Sequence, residues 1–133
     1  GAAQEFGKPV LITGYLTLQH DINALSLQNE LLSNHSGSHA SLVVVLLNND
    51  GGAIFDMLPQ ASDDPYFERL FLTPQNVDFE HAAKAFHVPY RRANSVDELR
   101  RCYRESLDEP GISLVEVRTP LRGLKERLGG FWK

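Results

Sequence analysis

Two unbroken apolar runs frame the first third of the chain. Pro9-Val10-Leu11-Ile12-Thr13 closes at Gly14, and Leu42-Val43-Val44-Val45-Leu46-Leu47 closes at Asn48-Asn49-Asp50-Gly51-Gly52. β-Branched and leucine side chains without polar alternation predict strands buried on both faces, as in a parallel sheet. Between the runs, Leu18, Ile22, Leu25 and Leu32 recur at steps of four, three and seven, which places them on one face of a helix. The order is strand, helix, strand.

The alternation continues downstream. Ser33 to Ser41 is a run of turn formers and small polar residues, predicted as an exposed loop. Phe79, Ala82, Ala83 and Phe86 mark a second helix, capped by Asp78 or Asn76, and Val88-Pro89-Tyr90-Arg91 reads as a short or edge strand. Ser95 followed by Glu98 is a capping box. Val96, Leu99, Tyr103 and Leu107 then keep helical spacing until Glu109-Pro110-Gly111, and Ile112 to Arg118 forms the last strand. Pro120 to Lys133 is predicted as a terminal helix or tail, with Phe131-Trp132 docking on the body or on a neighbouring chain. Strands alternating with helices predict an α/β fold, three-layer α/β/α around a mainly parallel open sheet with right-handed crossovers.

Composition narrows the function classes. With 133 residues, 42% hydrophobic and 23% charged, the chain reads as one domain spanning 1–133. A formal charge of -4 is the wrong sign for neutralising nucleic-acid phosphates. Cys102 is the only cysteine, which excludes an intrachain disulfide framework and a cysteine zinc site, and a reducing cytoplasm is the expected compartment. The longest apolar run, six residues, is far short of the roughly 20 that span a bilayer. The first residues lack an initiator Met and a signal pattern, so the chain is expected to be a fragment of a larger multidomain protein.

In open α/β sheets, ligands sit beyond the carboxyl ends of the strands, which directs attention to Gly14-Tyr15-Leu16-Thr17 and Asn48 to Gly52. Asn49 offers an amide oxygen to a hard cation, and the glycines allow close backbone approach. Asn-Asn-Asp-Gly-Gly is equally an ordinary tight turn. The first loop leads into a helix start near Thr17 to Asp21, whose free amides favour an anion.

Three blocks carry a resemblance: Gly14 to Leu25 (GYLTLQHDINAL), Leu46 to Pro59 (LLNNDGGAIFDMLP) and Phe71 to Ala83 (FLTPQNVDFEHAA). Together they resemble the C-terminal, diphosphate-binding domain of the MenD family, thiamine diphosphate-dependent synthases of menaquinone biosynthesis. The resemblance implies a decarboxylating joining of 2-oxoglutarate to isochorismate, with thiamine diphosphate and Mg²⁺ as cofactors and a homodimer or homotetramer as the working assembly. It implies Asn49 and the Gly51 carbonyl as metal ligands. Gly14, Leu16, Thr17, Asn49, Gly51 and Gly52 would contact the cofactor, and Ile54, Phe55 and Leu58 would form an apolar wall near the substrate.

The sequence departs from the family pattern where it matters most, because Tyr15 stands at the metal-binding aspartate position. A phenol with a reference pKa of about 10 is neutral at pH 7 and a poor Mg²⁺ ligand. Asp21 and Asp50 are the nearby substitutes, Asp21 lying about one turn into the following helix. The family's activating glutamate and aminopyrimidine-holding domain are absent from these residues, so the chain alone is expected to be inactive. A non-catalytic assembly or interaction domain with a degenerate metal site is the alternative.

Other groups read more plainly. His35 and His39 have helical ligand spacing but lie among Ser and Gly; His20 adjoins the first loop, His81 is solvent-facing or capping, and His87 ends a helix. Cys102 reads as packing. Arg91-Arg92, Arg100-Arg101, Arg118 and Arg122 could receive an anion, but such pairs usually form solvated faces. No Gly-x-Ser-x-Gly elbow or phosphate-binding Gly-x-x-x-x-Gly-Lys loop is present.

Overall fold

The structure is a computed structural model that describes residues 8–33, 41–62 and 66–129. Four strands, β1 (Val10–Gly14), β2 (Ser41–Asn48), β3 (Tyr90–Ala93) and β4 (Gly111–Arg118), form one sheet in the order β1-β2-β4-β3. Every pairing is parallel. The helices are α1 (Tyr15–His20), α2 (Leu27–Ser33), α3 (Phe79–Ala85), α4 (Val96–Leu107) and α5 (Leu124–Leu128). The layers are those expected, with helices on both faces of a parallel sheet.

Each face has its own core. On one, Tyr15 and Leu18 of α1, Leu25, and Phe79 and Ala83 of α3 close over Val44, Leu46, Ile112 and Leu114. On the other, Cys102 of α4, flanked by Leu99, Tyr103 and Leu107, closes over Val43, Val45, Ala93 and Val115. Cys102 is therefore a packing residue. A fully buried Leu or Val contributes about 1.5–3 kcal/mol, so these two clusters supply most of the driving force.

The first helix differs from its periodicity. It is split into α1, a 3₁₀ segment over Ile22–Ser26 and α2. Asp21-Ile22-Asn23 is a run of weak helix formers, and Asp21 leaves the helical conformation (φ -111°, ψ 23°). The tighter 3₁₀ turn shifts the phase, so Leu32 faces solvent while Leu31 and the buried Gln28 face inward. A second correction concerns β1. Val10, Leu11 and Ile12, expected to be buried on both faces, are exposed at 40%, 47% and 67%. β1 is an edge strand among the described residues, and α4 packs over β2, β4 and β3 without reaching it.

The capping box forms with a shift. Ser95 Oγ accepts the Glu98 amide at 3.1 Å, but the Glu98 carboxylate reaches back to the amide of Asn94, at 2.7 Å. Asp78, not Asn76, caps α3, accepting the His81 amide at 3.0 Å. His35, His39, Phe131 and Trp132 lie outside the described residues. Among those described, no helix is long and apolar enough to cross a membrane.

Gln28 joins α2 to the sheet. Its Oε1 accepts the Ile112 amide at 2.5 Å, and its Nε2 donates to the His87 carbonyl at 3.3 Å. Gly111, with φ +75°, lies where a Cβ would fall 2.4 Å from Gln28 Oε1, so only glycine admits this contact. Gln28→Ala leaves a buried amide unpaired and is expected to lower the unfolding free energy by about 2 kcal/mol, read by urea denaturation. Removing the exposed Ser33 hydroxyl should change it by less than about 0.5 kcal/mol.

Candidate functional site

Strand register brings the two flagged turns together. Gly14 ends β1 and pairs with Leu47, one residue before the end of β2. The chain therefore leaves both strands at the same rim of the sheet, on neighbours about 4.8 Å apart. Asn48 in turn pairs with Arg118 at the end of β4.

The first turn is not a loop. α1 begins at Tyr15, directly after β1, two residues earlier than the expected helix start. Gly14 and Thr17 are exposed and Leu16 is half-buried. Tyr15 is 1% exposed, its ring edge-on to Phe79 at 5.4 Å between centroids. Its hydroxyl accepts the Val77 amide at 3.0 Å and faces the Asp50 carboxylate. Burial first, then Asp50, push the phenol above its ordinary value against the opposing Val77 amide, so it is neutral at pH 7.

The second turn is built by side-chain oxygens accepting backbone amides two residues on. Asn48 Oδ1 accepts the Asp50 amide at 2.9 Å and Asn49 Oδ1 accepts the Gly51 amide at 3.3 Å. Asp50 takes the left-handed conformation (φ 58°), and its Oδ1 accepts the Asn76 amide at 2.8 Å. The glycines meet protein. A Cβ on Gly51 would fall 2.1 Å from the Leu72 carbonyl oxygen, and the Gly52 amide donates to that same oxygen at 2.7 Å.

A polar cleft of about 280 Å³ opens beside this turn, lined by Asn48, Asn49, Asp50, Asn76, Val77, Asp78, Arg118, Thr119 and Leu121. Of the cofactor, metal and substrate contacts implied by the resemblance, Asn49 alone lines it, joined by Asp50, the nearby substitute for the metal-binding aspartate. Gly14, Leu16, Thr17, Gly51 and Gly52 share the rim without lining the cleft. Ile54, Phe55 and Leu58, on the helical turn Ala53–Met57 and just after it, are exposed at 69%, 40% and 37%. Phe55 rests edge-on against Phe71.

Beneath the cleft lies a polar cluster that the sequence reading missed. Glu116, fully buried, accepts from Asn48 Nδ2 at 2.8 Å, from Arg118 Nε at 2.9 Å and from the Tyr90 hydroxyl. Arg92 lies 3.8 Å from the same carboxylate and donates to the Tyr90 oxygen. Burial would raise the Glu116 carboxyl, but Tyr90, Arg118 and Asn48 together hold it below the ordinary carboxylate range. Burial first, then the adjacent Glu116, push the Tyr90 phenol strongly upward. The available signal was one acidic residue inside the apolar strand Leu114-Val115-Glu116-Val117.

Asp56 makes a second missed contact. Its carboxylate accepts the amides of Gly123 at 2.7 Å and Leu124 at 3.0 Å and pairs with Arg122, tying the Ala53–Met57 turn to the start of α5. Burial opposes ionisation there, but these partners keep the carboxyl below its usual range.

The remaining candidates have structural partners or face solvent. Arg91 pairs with Glu105 and Glu109, Arg100 with Asp97 and Arg101 with Glu105. His81 is exposed and lies 2.8 Å from Asp78. His20 and His87 are exposed, as is Asp21, which follows α1 rather than lying within it.

The donor set does not suit Mg²⁺. That ion demands several oxygens, preferably anionic, in octahedral array. The first turn supplies a neutral, buried phenol, and Asp50 is engaged by an amide. The described residues hold no group of three or more His, Cys, Asp or Glu side chains able to grip a metal.

Residues 20–117 match the family described as "Thiamine pyrophosphate enzyme, C-terminal TPP binding domain". The chain belongs to that family. In sequence it is similar to 2-succinyl-5-enolpyruvyl-6-hydroxy-3-cyclohexene-1-carboxylate synthases, the MenD enzymes named above. It is 42% identical to that of Bacillus pumilus over 82% of this chain and 18% of the relative. It is 36% identical to that of Listeria monocytogenes over 99% of this chain and 22% of the relative. The chain thus spans about a fifth of the length of these relatives. Among solved structures, a thiamine diphosphate-dependent 4-hydroxybenzoylformate decarboxylase of Rhodococcus jostii superposes with a TM-score of 0.64 at 19% identity, over 84% of this chain and 19% of that one. Benzoylformate decarboxylase of Polynucleobacter necessarius gives 0.65 at 20%, over 85% and 20%. The family match begins at His20, past Tyr15.

Glu116→Gln should cost about 2 kcal/mol at pH 7 by weakening charge-assisted hydrogen bonds, read by urea denaturation. The folded carboxyl titrates below the ordinary value of 4.5. Its contribution is therefore complete above that pH and lost as pH falls through the folded value. The Gln variant should lack this part of the wild-type acid slope.

Proposed function

We propose that this chain is the diphosphate-binding domain of a synthase of the MenD type, whose complete polypeptide joins 2-oxoglutarate, with loss of carbon dioxide, to isochorismate in menaquinone biosynthesis. The observation that carries this reading is the shared rim: the Gly14-Tyr15-Leu16-Thr17 and Asn48-Asn49-Asp50-Gly51-Gly52 segments leave adjacent parallel strands side by side. In this reading Gly14, Leu16, Thr17, Asn49, Gly51 and Gly52 face the thiamine diphosphate side of the domain. Ile54, Phe55 and Leu58 supply an exposed apolar wall to the substrate or to a second subunit of a homodimer or homotetramer. The compartment is the cytoplasm.

We propose further that these 133 residues are not competent alone. In this reading the activating glutamate lies outside these 133 residues, and the metal position is filled by Tyr15. The Tyr15 geometry also favours a second reading, a non-catalytic assembly domain that keeps the sheet and has given up the metal.

One experiment addresses both. The chain, given thiamine diphosphate, Mg²⁺, 2-oxoglutarate and isochorismate, should form no joined product, and a calorimetric titration with the cofactor pair should give no binding heat. Product overturns the claim of incompetence. Binding by the unaltered chain removes the second reading.

A further inference from the structure

We infer that in this chain the Tyr15 hydroxyl, and not a divalent cation, ties the rim segments together, making the rim independent of metal. The inference rests on membership of the family and not on the reaction proposed above.

Three segments meet there: the first turn of α1, the 48–52 turn and the 75–78 segment that leads into α3. Two consecutive backbone amides of the last segment point at the other two. Val77 N–H donates to Tyr15 Oη at 3.0 Å, and Asn76 N–H donates to Asp50 Oδ1 at 2.8 Å. Amide dipoles aimed this way present their positive ends to the position, which suits oxygen acceptors and opposes a cation. A hydroxyl fits well, because its oxygen accepts the Val77 amide at 3.0 Å while, unlike a carboxylate, it brings no second negative charge beside Asp50.

The phenol is also fixed. Tyr15 is 1% exposed and its ring packs edge-on against Phe79, so it cannot swing aside without opening the core beneath α1 and α3. An aspartate at this position would be shorter by a ring. It would leave a void and set a second carboxylate near Asp50, an arrangement that a divalent cation would relieve. The rim can therefore be tied in two ways, by a neutral hydroxyl with packing, or by a cation held on a carboxylate at this position together with the Asn49 and Gly51 oxygens that the resemblance implies, and this sequence uses the first.

The test is thermal unfolding of the 133-residue chain in EDTA and in millimolar Mg²⁺, without thiamine diphosphate. The unaltered chain should melt at the same temperature in both. Tyr15→Phe keeps the ring and strands the Val77 amide, and should melt about 5 °C lower in both. Tyr15→Asp should melt lower still in EDTA and recover several degrees with Mg²⁺. Stabilisation of the unaltered chain by Mg²⁺ overturns the inference while leaving the proposed synthase reading intact. Tyr15→Phe melting with the unaltered chain overturns the role of the hydroxyl. Should Tyr15→Asp not fold in EDTA, its recovery on refolding with Mg²⁺ supports the inference, and failure in both media overturns the two-way tie.

Discussion

The position of β2, parallel between β1 and β4, governs the rest of the structure. Its register with β1 sets Gly14 beside Leu47, and its register with β4 sets Asn48 beside Arg118. A one-residue slip would turn Val44 and Leu46 onto the α4 face and move Asn48 away from Glu116. Burial of alternating residues in two separate cores makes such a slip costly. The rim inherits its precision from hydrophobic packing several residues below it.

On that base, polar groups at the carboxyl ends of the strands are arranged in tiers. Glu116 lies lowest, held by Tyr90, Asn48 and Arg118. Asn48 links tiers, donating to Glu116 below while accepting the Asp50 amide above. Asp50 and Tyr15 then hold the 75–78 segment by its amides. A buried carboxylate is tolerated only when its lone pairs are satisfied, and here arginine, phenol and amide donors converge on it. The polar cleft is thus the open top of a hydrogen-bonded column.

Much of the framework was legible because it is local. The apolar run of β2, the Ser95 cap of α4 and the Glu109-Pro110-Gly111 stop each depend on neighbouring residues. The broken helix was not legible: Leu18, Ile22 and Leu25 keep helical spacing even where the backbone tightens at Asp21, and it is the phase shift of that 3₁₀ turn that brings Leu31, not Leu32, against the core. Tyr15 was recognisable as a departure at a ligand position. Its place in the core was not, since its partners Val77 and Phe79 come from a segment brought to β1 by the fold. Gly51 and Gly52 show the same limit. They read as a cradle for a ligand, and in the fold their missing side chains also admit the backbone at Phe71 and Leu72.

The most direct measurement of the central claim is hydrogen exchange at the Val77 amide, followed by NMR on the unaltered chain in EDTA and again with Mg²⁺. A hydroxyl-held rim predicts a protected amide whose exchange rate is the same in both media. Fast exchange in EDTA that slows when Mg²⁺ is added would mean that the cation, and not Tyr15, orders the rim.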